Sequence, residues 1–217
     1  MSGNGEPRRY RKQQRARKEE DTRRCITEAV VELHRTVGPA NTRVTEVAER
    51  AGVSRMTVYN HFPTDADLIE ACSTHWAVRN PTPDPASWAA EPDPTERLRR
   101  ALTELYAWCA ATADMMGNVL RDAPIVPALG DLMEERWSPY VDGMLAVLAA
   151  GWGEKPGSRD VRAALRLAVD FGTWQVLADA GLDPDRAAEL ATRMVACAGV
   201  PVEIPGEAGR RLLTGAG

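Results

Sequence analysis

The 217 residues are 44% hydrophobic and 27% charged, enough apolar material for a packed core and far from the make-up of a disordered chain. The longest apolar run, Met144–Trp152, is half the roughly 18 residues of a membrane span, and the charged N-terminal stretch RRYRKQQRARKEEDTRR lacks the apolar segment of a secretory signal, so a cytoplasmic chain is expected. The net charge of −4 hides an asymmetry, with 13 Lys/Arg against 8 Asp/Glu in residues 1–62 and 14 against 23 beyond, which points to a local polyanion contact at the basic end.

Arg8, Arg9, Arg11, Lys12, Arg15, Arg17 and Lys18 form a basic run without apolar periodicity, so residues 1–18 read as a solvated, flexible arm and helix is expected from about Glu19. Cys25, Ile26, Ala29, Val30, Leu33 and Val37 then recur at three- and four-residue intervals and give one apolar face, stopped by Gly38-Pro39. A short second helix, TEVAERAG, has Thr42 or Thr45 to cap its start and Gly52 to end it in the left-handed conformation. Ser54 caps a third, RMTVYNHF, in which Val58 and Phe62 face inward at i and i+4. A fourth helix opens after Pro63 and runs to about Val78, burying Leu68, Ile69, Cys72 and Trp76, and completes a helical domain over residues 19–79.

Five prolines between Asn80 and Pro94 make residues 80–94 a stiff connector, with Trp88 as its anchor. Residues 95–200 read as a second helical domain: amphipathic helices over Leu98–Ala113 and Leu129–Leu148, joined by a short helix over Met115–Arg121. The stretch Ser158–Ala180 is apolar around most of its circumference, and Pro184–Ala198 repeats small and apolar residues, so the helices at 158–180 and 184–198 together suggest a homodimer seam. Residues 201–217 are expected to be a disordered tail, and no strand-like alternation appears, so the fold class is all-α.

The Gly52-Val53-Ser54 turn between two short helices has the form of a helix-turn-helix, in which a tight turn projects the second helix outward. A major groove about 12 Å wide accepts one helix whose first turns carry side chains that reach base edges and phosphates. In RMTVYNHF, Arg55 can bond guanine bidentately, Met56 can pack on a thymine methyl, Thr57 and His61 can donate to phosphates, and Tyr59 and Asn60 can do either. The basic arm could enter the adjacent minor groove; a surface-exposed helical corner with a solvated charge run is the bland alternative.

The stretch VTEVAERAGVSRMTVYNHFPTDADLIEA resembles the DNA-binding region of the TetR family of bacterial transcriptional regulators, whose pattern is roughly T/V-x-x-I/V-A-x-x-A-G-V-S-x-x-T-x-Y-x-x-F followed by a Leu-rich helix. The resemblance covers residues 20–80 and implies a nine- or ten-helix chain. It further implies a homodimer through the last two long helices, a small-molecule pocket among the central ones, and a double-stranded, palindromic DNA operator. Carried over by position, base-reading sites fall on Arg55, Met56, Tyr59 and Asn60, and phosphate-contact sites on Thr45, Thr57, Tyr59 and His61, with Ser54 opening the reading helix. Two positions depart from the pattern: Met56 stands where many members have Gly, and Asp65 where many have a Lys that holds a phosphate.

An effector pocket in a helical domain combines aromatic and flexible apolar side chains with a few polar groups, and Trp108, Met115, Met116, Leu120, Trp137, Tyr140, Met144, Phe171, Trp174 and Gln175 fit that description. Tyr140 and Gln175 are its candidate polar anchors, with Arg121 and Asp114 further out, and an aromatic or lipophilic effector is expected. Cys72 and His75 are too few for a metal site, and Cys25, Cys109 and Cys197 sit on helical faces that usually hold inert thiols. No GxSxG, phosphate loop or HExxH motif is present, so neither catalysis nor a cofactor is expected. The expected function is a ligand-responsive homodimeric repressor, with a helical ligand-carrier or protein-interaction module of the same fold as the alternative.

Overall fold

The computed structural model describes residues 6–152 and 158–198, with side chains described over 10–152 and 159–198. Within them the chain forms α1 (Glu6–Thr36), α2 (Val44–Ala51), α3 (Arg55–His61), α4 (Asp65–Arg79), α5 (Pro94–Asp122), α6 (Pro127–Ala149), α7 (Ser158–Ala168), α8 (Phe171–Asp179) and α9 (Pro184–Ala198), two 3-10 turns at Pro39–Asn41 and Pro85–Trp88, and no strand. The all-α expectation holds because the apolar patterns have helical period, and Ser54 and Thr64 cap α3 and α4.

α1 corrects the expectation of a flexible arm. The helix starts at Glu6 instead of Glu19, because a run of Arg, Lys, Gln and Ala propagates a helix that the apolar face downstream has already nucleated. The backbone of Arg8 and Arg9 belongs to α1, while their side chains and the 201–217 tail lie outside the described residues.

By their contacts the described residues group into two compact units, one of residues 6–83 with Trp108–Asp142, the other of Asp84–Ala107 with residues 143–152 and 158–198. The separate joining helix at Met115–Arg121 does not exist: α5 is continuous over 29 residues, since Met115, Met116 and Val119 extend the apolar repeat and the isolated Gly117 is tolerated within it.

In the first unit, Ile26, Val30 and Leu33 of α1 close on Val47, Val58, Phe62 and Leu68, with Met115 in the same cluster. The end of α1 is held by α5. Asn118 Nδ2 donates to the carbonyls of His34 and Arg35, at 3.1 and 2.8 Å, supplying partners that a helix terminus lacks. The buried Asp122 carboxylate accepts the Ala40 N–H at 2.9 Å and the Arg121 Nε–H at 2.7 Å. Gly38, at φ +91°, makes the turn beside them, where a Cβ would overlap both the Arg121 guanidinium and the Asp122 carboxylate.

In the second unit Trp88 is fully buried and its indole N–H donates to Glu104 at 2.7 Å, so the connector is anchored as its composition suggests. The buried Arg97 guanidinium donates to the carbonyls of Glu91 and Ala150, both at 2.6 Å, and Tyr106 donates to the Ala168 carbonyl at 2.7 Å. The single helix expected over Ser158–Ala180 is in fact two. Asp170 breaks it by accepting the Gly172 N–H at 2.8 Å as the N-cap of α8. The face of α9 assigned to a dimer seam is largely used within the unit, where Ala187, Ala188, Ala191 and Val195 are buried; Leu167, Val176 and Met194 remain exposed.

Candidate functional site

The helix-turn-helix is set by short-range chemistry. Gly52, at φ 68° and ψ 32°, ends α2, and the Val53 N–H returns to the Ala48 carbonyl at 2.9 Å. Ser54 Oγ accepts the Thr57 N–H at 3.1 Å and starts α3. The cap expected of Thr42 or Thr45 on α2 is not formed, because α2 begins after Arg43: the Thr42 hydroxyl donates instead to the Gly38 carbonyl at 2.9 Å, and Thr45 lies exposed in the first turn.

With Val58 and Phe62 buried, α3 turns Arg55, Met56, Tyr59 and Asn60 to solvent, beside exposed Ser54 and half-buried Thr57 and His61. Met56 is 68% exposed and Tyr59 48%, a large apolar outlay on a seven-residue helix that a binding face explains and a folded core does not. Arg23, which sequence reasoning missed, fixes the far end: it donates to the His61 carbonyl at 2.9 Å and its guanidinium lies 4.2 Å from the Phe62 ring centroid. No local signal marks a residue 38 positions from its partner.

On α1, Arg11, Lys12, Arg15, Arg17 and Lys18 are all exposed, and Arg11, Arg15 and Lys18 share one face at i, i+4 and i+7. As a helix about 10–12 Å across, this segment is wider than a minor groove of about 6 Å. Asp65 is exposed at the first position of α4. The cap there is Thr64, which receives the Asp67 N–H at 3.2 Å while its own N–H and hydroxyl hold the Asp67 carboxyl below the usual carboxylate range.

The same unit contains a cavity of about 210 Å³. Trp76, Trp108 and Trp137 form its aromatic wall, with ring centroids 6.0 Å apart and edge-on for the first pair and 5.7 Å apart and stacked for the second. Met115, Met116, Met133, Ile69, Cys72 and Leu129 add apolar surface, and His34, Ser73, Thr82 and Arg136 are the polar lining. Burial pushes the Cys72 thiol up to about 12 and the His34 imidazole down to about 4, the latter opposed in part by the Asp122 carboxylate.

Of the residues expected in a pocket, Trp108, Met115, Met116 and Trp137 line the cavity. Tyr140 lies tilted against Trp137, with ring centroids 5.3 Å apart, and donates to the Pro83 carbonyl at 3.0 Å, outside the lining, where half-buried Leu120 also lies. Met144, Phe171 and Trp174 are buried in the second unit and Gln175 is exposed, so none of the four lines this cavity. Arg121 is engaged with Asp122 and Asp114 with Arg35, and neither reaches the cavity. Sequence reasoning missed His34 and Trp76 because their helices were assigned to the first helical domain, and Arg136 because a charged residue beside Trp137 reads as solvent-facing.

The helix-turn-helix, with α3 turned outward, belongs to an all-helical chain that also holds an indole-walled cavity. Residues 26–72 match the family described as bacterial regulatory proteins, tetR family. A TetR-like transcriptional regulator from Rhodococcus sp. RHA1 shares the fold with a TM-score of 0.59 at 18% identity, over 81% of this chain and 94% of its own. PfmR, a TetR family transcriptional regulator from Thermus thermophilus, gives 0.55 at 18% identity over 82% and 99%. NalD, the secondary repressor of the MexAB-OprM multidrug efflux pump in Pseudomonas aeruginosa, gives 0.55 at 21% identity over 82% and 96%. At these identities the likeness is one of fold. No curated protein matches the chain, and no helix of the described residues is long and apolar enough to cross a membrane.

Proposed function

We propose that the chain is a homodimeric, operator-binding repressor released by a small aromatic or lipophilic effector. The observation that carries this reading is the outward arc of α3, where Arg55, Met56, Tyr59 and Asn60 are exposed together on a helix fixed by Ser54, Val58 and Phe62. In this reading Arg55 reads guanine, Met56 meets a thymine methyl, Tyr59 and Asn60 contact bases or phosphates, and Thr45, Thr57, His61 and the α1 cations hold the backbone. The seam forms through the helices at 158–180 and 184–198, where Leu167, Val176 and Met194 are exposed, and the operator is palindromic, with half-sites about 34–36 Å apart. α4 carries Leu68 in the helix-turn-helix core and Ile69, Ser73 and Trp76 in the cavity wall, so an occupant acts on the helix that positions α3. NalD, which shares the fold, is a repressor, and that supports repression over activation.

Selection of genomic fragments by the purified chain, followed by salt titration of the best fragment against a scrambled one, tests this. A palindromic site bound on the order of a thousandfold more tightly is expected, and lost in Arg55→Ala/Tyr59→Ala with the dimer intact. Sequence-blind binding that vanishes with salt would move the chain to the carrier or interaction-module reading.

A further inference from the structure

His34 lies in the last turn of α1 and is 5% exposed. It lines the tryptophan-walled cavity and also a smaller one of about 80 Å³ bordered by Val30, Thr42, Val47 and Asp65. Its carbonyl is bonded by Asn118, but among the described residues no group hydrogen-bonds its ring nitrogens. His34 is not among the buried side chains sealed off without a partner, so its ring nitrogens keep a hydrogen-bonding capacity that water or an occupant of the cavity fills. A ligand that displaces water from such a group loses affinity unless it reproduces the bond.

The rest of the wall narrows the ligand. No carboxylate lines the cavity, which leaves a cation without a counter-charge. Arg136 already donates to Glu70 and Thr74, so an anion would have to displace an existing ion pair. Three indole rings and the methionine side chains favour a flat aromatic body. An apolar cavity of about 150 Å³ admits benzene, and about 210 Å³ suits a fused bicycle. A neutral imidazole presents one donor and one acceptor, and a hydroxyl satisfies either tautomer.

We infer that the cavity takes an uncharged fused-ring phenol, whose hydroxyl hydrogen-bonds a His34 ring nitrogen while its rings lie among Trp76, Trp108 and Trp137. The inference rests on the effector-site reading above and extends it to a ligand class. It also makes α1, a helix of the DNA-binding region, a direct reader of the ligand.

Equilibrium dialysis of the full chain against β-naphthol, its isostere β-methylnaphthalene and β-naphthoate tests it. β-Naphthol is expected to bind about tenfold more tightly than β-methylnaphthalene. His34→Leu abolishes that gap while β-methylnaphthalene still binds, and His34→Gln, whose amide both donates and accepts, keeps part of it. Equal binding of the two by the wild type, or an unchanged gap in His34→Leu, overturns the inference and leaves the effector-site reading standing. If His34→Leu does not fold, loss of the whole gap in a folded His34→Gln counts against it. A preference for β-naphthoate that disappears in Arg136→Gln overturns it in favour of an acid. Binding of none of the three overturns both this and the effector-site reading.

Discussion

At His34 burial penalises the imidazolium more than the nearby Asp122 carboxylate favours it, and the ring stays neutral down to about pH 4. Unfolded, the same ring titrates near 6.5. Between those values the unfolded chain binds the extra proton, so this contribution to stability is complete above about pH 6.5, falls as pH falls, and levels off below 4. The loss amounts to about 2 kcal/mol at pH 5. Urea unfolding at pH 7 and pH 5 is expected to show it in the wild type and not in His34→Leu; an equal loss in both would place the acid sensitivity elsewhere. Asp122 is a second residue whose weight only packing shows. Asp122→Ala leaves the Ala40 N–H without its acceptor and releases Arg121, at a cost of about 2–3 kcal/mol. Asp122→Asn, which keeps an acceptor oxygen, loses less, and denaturant midpoints for the two variants measure the difference.

Among the elements, α3 was legible residue by residue, because Gly52, Ser54 and the i, i+4 pair Val58 and Phe62 act within a few positions of one another. The basic run before Glu19 was not, since a missing apolar face removes packing but not helicity. The break between α7 and α8 rests on one carboxylate, Asp170, inside a pattern that otherwise continues. The helical form of α1 has its own consequence. Arg11→Gln, Arg15→Gln and Lys18→Gln together remove up to about three phosphate contacts, so the salt dependence of DNA affinity falls by up to about three in slope while the preferred sequence is unchanged. A triple variant with altered site preference would mean that these side chains read bases.

For the molecule as a whole, the exposed apolar residues Leu167, Val176 and Met194 lie on the three helices of the proposed seam. Val176→Glu with Met194→Glu is expected to yield a monomer by sedimentation, with an unchanged far-UV spectrum and loss of binding to a palindromic site. A dimer that survives both charges would put the interface on another face. Composition could not sort the aromatic and sulfur-containing residues between sites. Trp108, Met115, Met116 and Trp137 line one cavity with Trp76, while Met144, Phe171 and Trp174 pack in the other unit. Periodicity marks which side of a helix is apolar, and nothing in it says which neighbour that side meets.

Short-range chemistry specifies the helical class, the helix-turn-helix and the side chains α3 presents, because caps, glycine conformation and 3.6-residue spacing operate over one or two turns. Tertiary structure alone decided that Arg23 locks the end of α3, that Asp122 and Asn118 tie α5 to α1, and that His34 faces the indole-walled cavity. Those partners lie from 38 to 84 positions apart, and such pairs exist only once packing has chosen which helices touch.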